Sequence, residues 1–132
     1  MSALDDIDRE TTRAAVEAAF YAYEAALVAN DLPAIDALFF DSPRTIRYGE
    51  KENLYGARAI AAFRAARPSA PRPRTLLKVE ISTYGPDCGI ANCEYRNEGE
   101  ARLGRQSQTW VRGPEGWRIV SAHVSYMNPP QE

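Results

Sequence analysis

The alanine residues of the chain are concentrated in its first half. Residues 1–70 contain 18 alanines, whereas residues 71–132 contain three. Alanine is the strongest helix former, and the second half is rich instead in Val, Ile, Thr, Tyr and Trp, which favour strands. Helices followed by strands indicate the α+β class rather than an alternating α/β fold. A chain of 132 residues has room for one domain with one core, which we expect to span residues 1–132.

The first half predicts three helices. Apolar residues at intervals of four, three and four from Val16 to Leu27 indicate a first helix over residues 8–29. Asp31 is placed to cap a short second helix. A third helix is expected over residues 57–66.

The second half predicts an antiparallel sheet. After a short strand over residues 45–48, four long strands are expected over residues 74–84, 89–97, 101–112 and 117–127. The short turns between the long strands indicate an antiparallel meander. In the first of them, alternation places one set of side chains on a common face: Thr75, Leu77, Val79 and Ile81. Three N-terminal helices packed on a strongly curved mixed or antiparallel sheet would form a cone that encloses a pocket.

Charge and composition exclude several classes of protein. Lys plus Arg is 16 and Asp plus Glu is 18, and a net charge of −2 argues against a nucleic-acid-binding protein. No apolar run approaches the roughly 20 residues of a membrane span. The acidic start lacks the apolar segment of a signal peptide, so we expect a cytoplasmic location. Cys88 and Cys93 fit a reducing compartment, either as small buried thiols or as redox sensors.

Three segments resemble, in their order and spacing, signatures of the nuclear-transport-factor-2-like superfamily, which includes SnoaL-like proteins and ketosteroid isomerase. They are residues 23–39, Tyr55-Gly-Ala-Arg-Ala-Ile-Ala-Ala-Phe63 and Gly116-Trp-Arg-Ile-Val-Ser-Ala-His-Val-Ser125. The resemblance covers nearly the whole chain. It implies the cone fold and a homodimer packed through the sheets.

A narrower resemblance is to the AtzH-like branch. It is carried by Arg47-Tyr48-Gly49, Asn53-Leu54-Tyr55-Gly56, Phe63-Arg64-Ala-Ala-Arg67-Pro68 and Gly104-Arg-Gln-Ser-Gln-Thr-Trp110. Members of this branch often accompany amidases of nitrogen catabolism, for example in the cyanuric acid route. The resemblance therefore implies an amidase as a partner.

Two sets of side chains share a strand face and, by the resemblance, point into the cone. They are Gln106, Gln108 and Trp110 on one strand, and Ser121, His123 and Ser125 on the last. For Trp110, core or interface packing is the other interpretation.

The resemblance also matches individual positions to ketosteroid isomerase. Tyr23 matches the tyrosine that donates to the oxyanion there. Arg47 or Tyr48 stands where that enzyme has its base aspartate, and Gln108 stands where it has its second acid. Because both carboxylates are absent, steroid-type enolisation is not expected.

His123 is the only histidine and is the natural general acid or base near pH 7. The other interpretation is a hydrogen-bonded histidine that lines the pocket or the core. Ser121 and Ser125 lie two residues from it, about 7 Å along the strand, which is too far for a catalytic triad. One histidine and two cysteines also make no zinc pattern, so neither a metal nor a cofactor is expected.

The cationic residues are 14 Arg and only 2 Lys, and the arginine fork suits carboxylates and phosphates. Arg47, Arg64 and Arg67 are the candidates to hold a small anion. Tyr48 and Tyr55 are candidates to orient it through their hydroxyls.

These features predict a pocket protein for a small carboxylated metabolite of nitrogen catabolism, of amide or carbamate type. In one hypothesis His123 transfers a proton in a cofactor-free hydrolysis or lyase step, while Tyr23, Tyr48 and Gln108 orient the substrate. In the alternative, the dimer binds a metabolite without turnover, or docks on an amidase as an accessory subunit. A purely structural dimerisation module would need an apolar cavity, which the polar candidates argue against.

Overall fold

Three helices form the N-terminal part of the protein in a computed structural model that describes residues 2–68 and 70–130. After a short 3-10 turn at Ala3–Asp5 come helices α1 (Glu10–Ala29), α2 (Leu32–Leu38) and α3 (Ala57–Ala65). Asn30 ends α1 in the left-handed conformation. The carboxylate of Asp31 then accepts the backbone N–H of Ala34 at 3.3 Å, as expected for the cap of α2. No helix in the described ranges is long and apolar enough to cross a membrane.

Within the described residues, six strands form a single mixed sheet. They are β1 (Ile46–Tyr48), β2 (Asn53–Tyr55), β3 (Arg74–Tyr84), β4 (Cys88–Asn97), β5 (Leu103–Gly113) and β6 (Gly116–Met127). The order across the sheet is β2-β1-β6-β5-β4-β3, with β1 parallel to β6 and every other pair antiparallel. The sequence analysis missed β2, whose three residues are too few to show an alternating pattern. The expected α+β cone is confirmed, although the sheet does not close on itself.

The core lies between α1 and the concave face of the sheet. Val16, Phe20, Trp110 and Ile119 are completely buried there. α1 approaches β4 closely at Gly89, where a Cβ atom would come within 2.7 Å of Val16 Cγ2. This glycine therefore lets the helix lie against the strand.

Two β-bulges reverse the alternation of side chains within long strands. In β3, Leu76 pairs with Tyr95 while Lys78 pairs with Glu94, so Leu77 is an extra residue. The prediction that Thr75 and Leu77 share the face of Val79 and Ile81 is therefore wrong, because the bulge turns both side chains outward. Arg74 and Leu76 take the inward positions instead.

The second bulge lies in β6. Trp110 pairs with Ile119 and Thr109 pairs with Ser121, so Val120 is the extra residue. Ile119 and Ala122 consequently both face the core although they are three residues apart. Beyond this bulge, the inward side chains of β6 are those at positions 122, 124 and 126.

Candidate functional site

A cavity of about 110 Å³ opens between the C-terminal half of α1, the end of α3 and the ends of the long strands. Five of its lining residues are arginines: Arg47, Arg64, Arg67, Arg72 and Arg74. No Asp or Glu is among the described residues that line it. The cavity is thus a concentration of positive charge in a protein whose net charge is −2.

Arg74 is held by a two-point ion pair inside the cavity wall. Its Nε and Nη2 donate to Glu24 Oε2 and Oε1 at 2.8 and 2.6 Å, and the two side chains are 5% and 11% exposed. Its guanidinium lies 3.9 Å from the centre of the Tyr95 ring. Burial lowers the pKa of Arg74, but the bond and charge of Glu24 more than offset this and leave the pKa raised. Glu24 thus neutralises this arginine.

Arg64 forms no ion pair with an acid among the described residues. Its Nη2 donates to the hydroxyl oxygen of Tyr23 at 2.8 Å, and its buried Nε has no partner among the described residues. Burial lowers the pKa of Arg64, and the charges of Arg47 and Arg67 lower it further, whereas Tyr23 and the charge of Asp36 offset this only in part. An anion in the cavity would relieve both costs.

The remaining arginines differ in their partners. Arg47 donates to Glu52 Oε1 at 3.2 Å. Arg67 stacks on the ring of Phe63, with 5.3 Å between the guanidinium and the ring centre. Neither Arg67 nor Arg72 forms an ion pair with any acid that the structure describes. Two of the five arginines therefore have an acid partner. Of the other three, Arg64 is half-buried, whereas Arg67 and Arg72 are exposed to solvent.

Hydroxyl and amide groups form the wall on the side of β4, β5 and β6. The hydroxyl of Tyr95 donates to that of Tyr126 at 3.1 Å, and Asn97 Nδ2 donates to the same Tyr126 oxygen at 3.0 Å. Burial and this hydrogen bond raise the pKa of Tyr95, so its hydroxyl stays protonated. Gln106 is 4% exposed, and its Nε2 is buried without a partner.

The described part of the chain contains no group of side chains that could ligate a metal ion. Within residues 2–68 and 70–130, no three His, Cys, Asp or Glu side chains are placed together so that they could hold an ion. The chemistry of the cavity is that of guanidinium, phenol and amide groups.

Residues 5–130 match the family model described as AtzH-like. The chain belongs to the AtzH-like family. The expected membership of the wider nuclear-transport-factor-2-like superfamily is confirmed as well. No curated protein matches the chain.

Solved structures agree with this assignment. A protein of unknown function from Pectobacterium atrosepticum SCRI1043 is 52% identical over 94% of this chain and 97% of its own, with a TM-score of 0.90. A cystatin-like fold protein from Burkholderia xenovorans LB400 is 41% identical over 94% and 98%, with a TM-score of 0.89. An NTF2-like protein of unknown function from Pseudomonas putida KT2440, 15% identical over 94% and 99% with a TM-score of 0.80, shares the fold.

The structure of this AtzH-like protein brings five of the predicted site residues together. Tyr23, Arg47, Arg64, Arg67 and Gln106 all line the cavity. They come from α1, β1, α3, the segment just after α3, and β5. Their roles in binding or catalysis stay predictions.

Gln108 and Trp110 lie in the core instead of the cavity wall. Both are almost completely buried, and Trp110 Nε1 donates to Gln108 Oε1 at 3.1 Å. Of the two interpretations of Trp110, its position fits packing.

The expectation that Ser121, His123 and Ser125 point into the cone is wrong. They do share one face, but it is the outer face: Ser121 and His123 are exposed, whereas Ala122 is buried. The physical reason is the bulge at Val120, which reverses the alternation that Ile119 begins.

Tyr48 and Tyr55 also lie outside the cavity. Both are exposed, and Tyr48 stands between Tyr55 and His123, with ring centres 6.5 and 5.6 Å away. This outer aromatic cluster is separated from the cavity by the sheet.

Sequence reasoning missed several lining residues: Arg72, Arg74, Tyr95, Asn97 and Tyr126. Alternation in β4 carried a signal for two of them, because Cys93, Tyr95 and Asn97 alternate with Asn92, Glu94 and Arg96. β6 carried a similar signal for Tyr126, because Ala122, Val124 and Tyr126 alternate with Ser121, His123 and Ser125. Arg74 gave no such signal, since it faces the cavity only because of the bulge at Leu77.

Proposed function

We propose that this AtzH-like protein binds a small carboxylated metabolite in the arginine-lined cavity. The observation that carries the proposal is the charge of the wall: five arginines line it, and only Arg47 and Arg74 have an acid partner among the described residues. Among the arginines without an acid partner, Arg67 and Arg72 are exposed, but Arg64 is half-buried and its Nε is buried without a described partner. Burying unpaired positive charge is costly, and an anionic ligand compensates it. A carboxylate suits the planar guanidinium fork, which offers it paired N–H donors.

The size of the cavity supports a ligand of few atoms. A cavity of roughly 150 Å³ accommodates benzene, and the volume here is about 110 Å³. Its mouth is open, so part of a longer ligand can extend into solvent. A small carboxylic acid fits these dimensions, whereas a steroid does not.

Binding without turnover is the form of the proposal that the wall favours. The described lining contains no imidazole and no carboxylate, which are the usual bases near neutral pH. Tyr23 is the predicted catalytic residue that does lie in the cavity, and its hydroxyl proton is available because its oxygen accepts from Arg64. A hydrolysis or lyase step, the homodimer through the sheet and an amidase partner remain predictions alongside this proposal.

Thermal unfolding with a panel of small carboxylates tests the proposal. A ligand present at 100 times its Kd stabilises the folded protein by about 2.7 kcal/mol. We expect such a shift for at least one carboxylate. We also expect Arg64→Met to abolish it, because the substitution removes an uncompensated guanidinium from the cavity.

The matched control is Arg58→Met, which removes an exposed arginine of the same helix that lies outside the cavity lining. Its ligand-dependent shift should equal that of the unmodified protein. Absence of any shift across the panel, or an equal loss of shift in both variants, would contradict the proposal.

A further inference from the structure

Tyr95 and Tyr126 meet across a glycine. Gly104 of β5 pairs with Tyr95 on β4 and with Tyr126 on β6, so it stands between the two aromatic residues. A Cβ atom on Gly104 would lie 2.5 Å from ring atoms of Tyr95. Without it, the two rings pack edge to face with 6.0 Å between their centres, and their hydroxyls come within hydrogen-bond distance.

The hydrogen bonds of this pair leave one proton to spare. Two phenol groups carry two protons, and only one of these is used between them. The oxygen of Tyr126 accepts from Tyr95 and from Asn97, so both of its lone pairs are engaged. Its own O–H is therefore available as a donor, and Tyr126 lines the cavity.

Gln106 supplies a second donor nearby. Gln106 pairs with Val124 on β6, and Tyr126 follows two residues later on the same inward face, so the two side chains are diagonal neighbours. The Oε1 of Gln106 accepts from Arg74 Nη2 at 3.4 Å, which directs the amide oxygen toward that arginine. Its buried Nε2 is left without a partner, and a buried unpaired donor is costly unless a ligand satisfies it.

We propose that the Tyr126 hydroxyl and the Gln106 amide nitrogen form a second subsite of the cavity, which binds an uncharged carbonyl oxygen of the carboxylate ligand. This inference rests on the proposed function. Both groups are neutral donors, and the neighbouring Arg74 is already neutralised by Glu24. The subsite therefore suits a ketone, amide or ureido oxygen, whereas the uncompensated Arg64 and Arg67 attract the carboxylate.

Calorimetric titration with two matched acids tests the subsite. Valerate and levulinate have the same five-carbon chain, but levulinate carries a carbonyl oxygen at the fourth carbon. We expect the unmodified protein to bind levulinate about fivefold more tightly, the net value of one hydrogen bond. Tyr126→Phe should remove this preference and leave the Kd for valerate within about twofold.

Two further variants separate this role from a structural one. Tyr21→Phe makes the same chemical change on the exposed part of α1 and should keep the full preference for levulinate. Gln106→Met, which removes the amide N–H groups, should lower the preference as well, and it provides the test if Tyr126→Phe does not fold.

The outcomes are distinguishable. If the unmodified protein binds both acids equally, the anion cavity stands and the second subsite is wrong. A preference for levulinate that survives in Tyr126→Phe, or an equal loss of affinity for both acids, would also overturn it. If neither acid binds and no carboxylate stabilises the protein, the proposed function fails and the subsite fails with it.

Discussion

The polar side chains in the cavity wall differ in whether their hydrogen-bond donors have a partner. Arg74 and Glu24 satisfy each other with two hydrogen bonds, and their role in the wall is complete without a ligand. Arg64 and Gln106 each keep a buried N–H group that no described residue accepts. Thr83 Oγ1 is also buried without a described partner, but Thr83 does not line the cavity. Since native proteins rarely leave such groups unpaired, the two donors in the cavity support the proposal that a ligand binds there.

Cys93 shows how burial decides the chemistry of a single side chain. Burial raises the pKa of its thiol to about 11, and the nearby charge of Arg74 offsets this only in part. Because only the thiolate is nucleophilic, we expect Cys93 to react with iodoacetamide at pH 8 about a hundredfold more slowly than in the unfolded chain. The rate should rise as the pH increases from 8 to 10, because more of the thiol ionises.

A Cys88→Ser variant isolates this reaction, and mass spectrometry follows its time course. The same variant in denaturant is the reference. Rapid alkylation of the folded protein at pH 8 would show that Cys93 is accessible as a thiolate, and would favour the redox-sensing interpretation over that of a small buried thiol.

At the scale of the element, two bulges decide which side chains reach the cavity. The extra residue at Leu77 turns Arg74 inward at the start of β3. The extra residue at Val120 turns Tyr126 inward near the end of β6 and turns His123 outward. A strand without its bulge would present the opposite face at these positions.

The sequence predicted the helices and long strands nearly to their ends because their patterns are long and regular. Tyr23 and Arg64 were predicted through the family resemblance, together with their places along the inner faces of their helices. Sequence reasoning failed for Arg74, because a bulge depends on how two strands pair. It failed for His123 because the resemblance placed this residue in the cone, although the alternation of polar and apolar residues over 121–126 indicates the outer face. The outer position of Tyr48 was equally hidden, since a three-residue strand shows no alternation.

Gly104→Ala tests how β4, β5 and β6 pack against one another. The added methyl group would lie 2.5 Å from the buried ring of Tyr95, and that ring must move. Overpacking of this kind typically costs about 1–3 kcal/mol of unfolding free energy. We expect a loss in that range by urea denaturation, together with weaker binding of levulinate.

Gly113→Ala is the matched control in the same strand. A Cβ atom there has no closer neighbour than Gly116 O at 3.9 Å, and the φ angle of Gly113 is not positive. The control should change the unfolding free energy by less than about 0.5 kcal/mol. Equal effects of the two substitutions would show that the contact between Gly104 and Tyr95 does not limit the packing.

At the scale of the whole molecule, the clustering of arginines in one cavity favours the binding of an anion but lowers the stability of the protein without a ligand. The chain is slightly acidic, yet five arginines converge on one cavity whose described lining holds no acid. Without an anion, Arg64 is half-buried near Arg47 and Arg67. The pKa of its guanidinium is lowered chiefly by burial and then by these two charges, which Tyr23 and Asp36 offset only in part. Sites that bind ligands often carry such a cost, which the ligand offsets.

This balance predicts opposite effects of one substitution with and without ligand. In low-salt buffer free of carboxylates, Arg64→Met should raise the unfolding temperature by about 3 °C, the equivalent of about 1 kcal/mol for a chain of this size. The substitution removes the free-energy cost of holding a partly buried cation close to two other arginines. We expect this gain in stability to exceed the loss of the hydrogen bond to Tyr23. With a binding carboxylate at saturation, the unmodified protein should have the higher unfolding temperature of the two, because only the unmodified protein gains the binding energy.

Arg58→Met should change the unfolding temperature in neither buffer, since Arg58 is exposed and lies outside the cavity lining. An Arg64→Met protein that is less stable in both buffers would show that the guanidinium serves the fold, and the charge of the cavity would then need another explanation.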